Sequence, residues 1–127
     1  MKTILVDAWN TFVTEDGIFL KMEVLLDGYD NKKIIVTNAN EEEKLKYGIV
    51  NMPYEVFTLS HNPNKTNPEY FKNLLKKYSL LQDEVIYFDH NSEAVKIAES
   101  LGITSFWYDK DKKDLESLKK FLDDNLQ

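Results

Sequence analysis

Thr3-Ile4-Leu5-Val6-Asp7-Ala8-Trp9-Asn10-Thr11 decides the fold. The segment opens on an unbroken aliphatic run, ends that run on a carboxylate, and then breaks into turn residues. Ile34-Ile35-Val36 and Val85-Ile86-Tyr87-Phe88 repeat the pattern and run into Thr37-Asn38 and Asp89-His90. A strand with one face in water alternates apolar and polar residues. A strand covered on both faces reads as a continuous apolar run, the mark of a parallel sheet between helices. The runs predict strands at Thr3–Asp7, Lys33–Asn38, Glu55–Leu59, Glu84–Asp89 and Ser105–Tyr108.

Helical spacing fills the intervals. Tyr70, Phe71, Leu74, Leu75 and Tyr78 make one stripe over Pro68–Tyr78, with Asn67 as N-cap and Pro68 at the first helical position. Ala94, Val95, Ala98 and Leu101 make another over Ser92–Leu101, which Gly102 stops. Leu115, Leu118, Phe121 and Leu122 predict a final amphipathic helix after Asp114, and Asn40–Lys46 is a shorter candidate. Asp16-Gly17 marks a small hairpin within Val13–Phe19. Strands alternating with helices predict one α/β domain over residues 1–127: three layers, Rossmann-like, with about five parallel strands.

Composition excludes several functions. The 16 basic residues, all Lys, face 22 acidic ones for a net charge of −6, which argues against nucleic-acid binding. There is no Cys for disulfides or thiolate chemistry. No apolar run is long enough to cross a bilayer, so no membrane partner is expected and the expected location is the cytoplasm.

In open α/β sheets ligands bind beyond the carboxyl ends of the strands. Those ends carry Asp7, Thr37-Asn38 and Asp89-His90-Asn91, and Lys65 lies in the loop before the Pro68 helix. Each alone is an ordinary loop residue; together they fall in order, each at an element boundary.

That ordered set resembles the haloacid dehalogenase superfamily, in four stretches spanning nearly the whole chain. Asp7-Ala8-Trp9-Asn10-Thr11 stands for the family's Asp-x-Asp-x-Thr turn, and Thr37-Asn38-Ala39 for the Ser or Thr ending strand two. Lys65-Thr66-Asn67-Pro68-Glu69-Tyr70-Phe71 stands for its Lys-Pro-x-Pro-x-x-Phe stretch. Phe88-Asp89-His90-Asn91, followed by an alanine-bearing helix ending Leu101-Gly102-Ile103, stands for the fourth. The resemblance implies Asp7 as a nucleophile forming an aspartyl phosphate, Thr37 as donor to a phosphoryl oxygen, and Lys65 as the neutralising cation. It implies Mg²⁺ held by Asp7, a carbonyl near Trp9 and acids of the fourth stretch.

Departures fall on the working parts. Trp9 replaces the acid/base, and counting back from Gly102 puts His90 and Ala94 at two metal-binding positions. Ala94 offers no donor and His is a poor ligand for Mg²⁺. The metal set left is Asp7, Asp89 and Glu93, with the two fourth-stretch acids completing a site only if the loop shifts. Trp9 is expected as a plug or a stacking platform, with Asn38 and Asn91 as further substrate contacts. An aromatic at Trp9 is a feature of true haloacid dehalogenases, but their halide-binding Arg and cap domain are missing. His61 is expected as a surface loop residue, Glu41-Glu42-Glu43 as a solvated helix face, and Phe106-Trp107-Tyr108 as strand packing. Two readings follow: a domain that binds a phosphorylated ligand or a protein partner, or a capless phosphomonoesterase acting on a large substrate or closed by a second copy.

Overall fold

The structure, a computed structural model, describes residues 1–126. Five strands form one parallel sheet: β1 (Thr3–Asp7), β4 (Lys33–Thr37), β5 (Glu55–Thr58), β6 (Val85–Asp89) and β7 (Thr104–Trp107). Their order is β5-β4-β1-β6-β7, so the Asp7 strand is central. A separate two-stranded hairpin, β2 (Val13–Thr14) with β3 (Gly17–Ile18), follows β1. Gly17, at φ +99°, takes a conformation that side-chain-bearing residues rarely adopt. The helices are α1 (Leu20–Asp27), α2 (Glu41–Lys46), α3 (Pro68–Lys77), α4 (Ser92–Ser100) and α5 (Leu115–Asn125). None of them is long and apolar enough to cross a membrane.

The continuous runs divide by strand alternation between two apolar layers. Ile4, Val6, Ile35, Ile86 and Phe88 pack with Met22 and Leu26 of α1 and with Leu118 and Leu122 of α5. Leu5, Ile34, Val36, Val85 and Tyr87 pack on Tyr70, Phe71 and Leu74 of α3 and on Val95 and Ala98 of α4. Ala94 is buried, as its place on the α4 stripe requires.

Helix starts follow local chemistry. Asn40, Asn67, Asn91 and Asp114 accept backbone N–H groups at the starts of α2, α3, α4 and α5. β1 falls on its expected bounds, the other four sheet strands differ from expectation by one residue at one or both ends, and a 3₁₀ turn at Gln82–Glu84 precedes β6. Residues 8–32 contain only the hairpin, α1 and loops.

Strand β7 departs from ordinary packing. As an edge strand it leaves Trp107 49% exposed, while Phe106 stacks on Phe121 at 5.2 Å.

Candidate active site

The register β1–β4 and β1–β6 brings the carboxyl ends of three strands together. Asp7 ends β1, Thr37 ends β4 and Asp89 ends β6. Lys65 is carried to them by the loop before α3. The Tyr70 hydroxyl pins that helix, donating to the carbonyls of Thr37 (2.9 Å) and Phe57 (3.1 Å). The Asn38 side chain accepts the Lys65 backbone N–H at 2.8 Å. Sequence placed the lysine on the right loop; these bonds aim it inward.

Lys65 is only 5% exposed. Its Nζ donates to Asp7 Oδ1 at 2.6 Å and to Asp89 Oδ2 at 2.7 Å. On the other side, His90 Nδ1 lies 2.6 Å from Asp7 Oδ2 and 3.4 Å from Asp89 Oδ1. Thr11 donates its hydroxyl to Asp7 Oδ2 at 2.6 Å. Tyr87 donates its hydroxyl to Asp89 Oδ2, and the Asn91 N–H reaches Asp89 Oδ1 at 2.8 Å. All four carboxylate oxygens therefore have partners.

Burial alone would raise the Asp7 carboxyl, but the Lys65 charge and His90 hold it well below the usual carboxylate range. Burial and the adjacent Asp7 charge push Asp89 up to about 6, against the pull of Lys65. Burial would lower Lys65, yet the two aspartates lift it above an ordinary lysine. Burial would lower His90, but its bond to Asp7 and the charges of both aspartates together raise it.

These shifts set a pH dependence of stability. The folded Asp89 value of about 6 exceeds the ordinary 3.8, so its contribution is complete below 3.8 and lost as pH climbs through 6. The raised His90 acts in the same sense, its contribution complete below 6.5 and lost as pH climbs through its folded value. Urea unfolding of the native chain and of Asp89→Asn between about pH 4 and about pH 8 should show the native chain losing its advantage as pH rises. A constant difference would contradict the arrangement.

The other expected site residues divide. Thr37 lines the same crevice; its hydroxyl accepts the Ala39 N–H at 3.1 Å and keeps its own proton to donate. Trp9 is half-buried and leans on Tyr47 with ring centroids 4.6 Å apart, forming one wall rather than a buried plug. Asn38 and Asn91 also line the crevice, with one side-chain oxygen each committed to loop and helix backbone. The structure does not bring Glu93 to the cluster. It sits exposed on the first turn of α4, and His90 takes the place beside the aspartates.

His61 and Glu43 also differ from their expected roles. His61 is exposed, but its Nε2 meets Glu43 Oε1 at 2.6 Å and its Nδ1 meets Asn64 at 2.8 Å, tying the lysine loop to α2. Glu43 is half-buried and completes a capping box with Asn40. Sequence reasoning assigned no role to Thr11, Tyr47 or Tyr87. Tyr87 was findable, because residues two apart on a strand share a face and Asp89 is two away. The pair Trp9–Tyr47 had no sequence signal.

Mg²⁺ takes near-octahedral oxygen ligands at about 2.0–2.1 Å. Among the His, Asp and Glu side chains of the described residues, the one group of three close enough to share an ion is Asp7, Asp89 and His90. Lys65 engages one oxygen of each aspartate and the His90 ring nitrogen faces the other two. The residues present do not fit Mg²⁺.

No protein-family model and no curated protein sequence matches the chain. Solved structures do. A haloacid dehalogenase-family enzyme of Bacteroides thetaiotaomicron, captured with magnesium and inorganic phosphate, is 14% identical, with a TM-score of 0.65 over 84% of this chain and 93% of that one. An uncharacterized protein of Corynebacterium glutamicum is 13% identical, with a TM-score of 0.64 over 97% and 96%. The core domain of a candidate phosphoglycolate phosphatase of Streptococcus pneumoniae is 23% identical, with a TM-score of 0.55 over 83% and 78%. The fold is the Rossmann-like fold seen in the haloacid dehalogenase-family enzyme and in these other neighbours.

Proposed function

We propose that this chain, built on the haloacid dehalogenase fold, binds a phosphate-bearing ligand or a phosphorylated partner in the Asp7 crevice and turns phosphomonoesters over slowly or not at all. The observation that carries this reading is the state of Asp7. Lys65 holds one of its oxygens, and Thr11 and His90 hold the other. Such bonds draw on the lone pairs of the carboxylate and weaken it as a nucleophile, and the leaving oxygen needs a proton donor where Trp9 stands. Positioned acid–base help is worth about 10²–10⁴-fold. The crevice, about 240 Å³, retains the Thr37 hydroxyl and the Asn38 and Asn91 amides for an anion. Trp9 and Tyr47 offer an apolar wall to the organic part. Phosphate bound to a neighbour of the same fold supports the choice of ligand.

One observation favours the second reading, a capless phosphomonoesterase with an aspartyl-phosphate intermediate: Asp7 is held ionised, as a nucleophile must be. Two measurements separate them. Calorimetry with inorganic phosphate in EDTA should show saturable binding, weakened about tenfold or more by Thr37→Val, which keeps the shape and loses a hydrogen bond to a charged group. Phosphate release from a phosphomonoester with Mg²⁺ should stay far below about 1 s⁻¹, the low end of ordinary enzymes. Turnover at or above that rate, abolished by Asp7→Asn, would establish the second reading.

A further inference from the structure

We propose that the His90 imidazole is a built-in substitute for a divalent cation: its ring nitrogen holds the face between Asp7 and Asp89 that such an ion would need, and so makes the crevice independent of Mg²⁺. The four carboxylate oxygens pair in two sets. Asp7 Oδ1 and Asp89 Oδ2 share the Lys65 ammonium, at 2.6 and 2.7 Å. Asp7 Oδ2 and Asp89 Oδ1 share His90 Nδ1, at 2.6 and 3.4 Å. The two aspartates are thus sandwiched between two nitrogen groups supplied by the chain itself. An ion held at about 2.0–2.1 Å by those same two oxygens would compete with the imidazole nitrogen for them.

The imidazole is held there rather than resting there. His90 follows Asp89 directly at the end of β6, and its carbonyl accepts the indole N–H of Trp107 on β7 at 2.8 Å. The Asn91 N–H fixes the Asp89 carboxylate that the ring faces, and Thr11 Oγ1 lies 3.2 Å from Nδ1. The side chain is 23% exposed, so its outer edge faces the crevice while Nδ1 faces the acids. With Lys65 on one pair of oxygens and the imidazole on the other, a dication would have to displace one of them. Forcing one in would strand like charges in a buried place.

The test is thermal unfolding of the native chain and of His90→Ala, followed as MgCl₂ is added, with calorimetry in parallel. The native chain should show no Mg²⁺-dependent rise in Tm and no saturable heat. His90→Ala should melt lower in EDTA and regain Tm as Mg²⁺ is added, by the mass action of an ion that binds only the folded state. Adding Asp7→Asn to His90→Ala should erase the recovery. His90→Gln, which keeps a polar side chain, gives the same readout should the alanine variant not fold. Saturable Mg²⁺ binding by the native chain would overturn the proposal. So would a His90 variant indifferent to Mg²⁺, or Mn²⁺ or Zn²⁺ binding by the native chain with perturbed His90 ring resonances, which would make the imidazole a ligand and not a competitor. Phosphate binding in EDTA reports on the proposed function separately, and neither result decides the other.

Discussion

Lys65→Met is expected to lower the free energy of unfolding by about 3–5 kcal/mol, the usual loss when one member of a buried ion pair is removed. Lys65 faces Asp7 and Asp89 with both acids almost completely buried. Methionine fills the volume of the stem but removes the ammonium, leaving two buried carboxylates with only His90 and the neutral donors Thr11, Tyr87 and the Asn91 N–H. At this chain length the loss corresponds to a fall in Tm of about 10–20 °C. Urea unfolding and calorimetry would measure it. Asp89→Asn in the Lys65→Met background should recover a large part of the loss, because it removes one of the stranded charges. A Lys65→Met protein within about 1 kcal/mol of the parent would behave like a surface substitution and show that the ammonium is not in the cluster.

The second large effect is a gain. Trp9→Asp, His90→Asp and Ala94→Asp together should raise Mg²⁺-dependent release of phosphate from a phosphomonoester by about 10²-fold or more, the order expected for restoring an acid/base group alone. The triple change supplies a proton donor at residue 9 and oxygen donors at residues 90 and 94. Ala94 is fully buried at the start of α4, so its carboxylate also carries a folding cost. Calorimetry with Mg²⁺ separates a folded, metal-binding variant that lacks turnover from one that never binds the ion. The activity should vanish when Asp7→Asn is added. A triple variant that binds Mg²⁺ yet stays as slow as the parent would place the block elsewhere in the crevice.

How much of this was legible in the residues depended on distance along the chain. The continuous runs at Ile4, Ile34 and Val85 each predicted a strand covered on both faces, and the parallel sheet follows from burying them. Asn67-Pro68 and Asn91 marked helix starts through local chemistry, and both cap as expected. Short-range signals of this kind survive because tertiary packing agrees with them. The site was legible only as a list of positions. That Asp7, Thr37, Lys65 and Asp89 would lie at one sheet edge followed from their order. That His90 would turn inward and Glu93 outward depended on one residue of helical phase and on Trp107 gripping the His90 carbonyl across strands. The same holds for His61 and Glu43, which are 18 residues apart and meet only because α2 and the lysine loop flank one crevice. Side-chain partnerships between distant loops leave no periodic trace.

The central place of β1 also bears on how the chain is made. Thr3 has no partner on its β6 side until Val85 arrives, 82 residues later by number. At bacterial-like synthesis rates of about 5–20 residues per second, that interval is about 4–16 s. For that time Ile4-Leu5-Val6 presents an open, fully apolar strand edge to whatever surrounds the ribosome, and non-local pairing of this kind is slow to close once the partner exists. β4 pairs on the opposite side of β1 and leaves this edge open, so before β6 is made the strand relies on α1, which covers its Ile4 and Val6 face. Substitutions that weaken α1 packing through Met22 or Leu26 should reduce the yield of soluble protein more than they reduce the stability of molecules that have already folded.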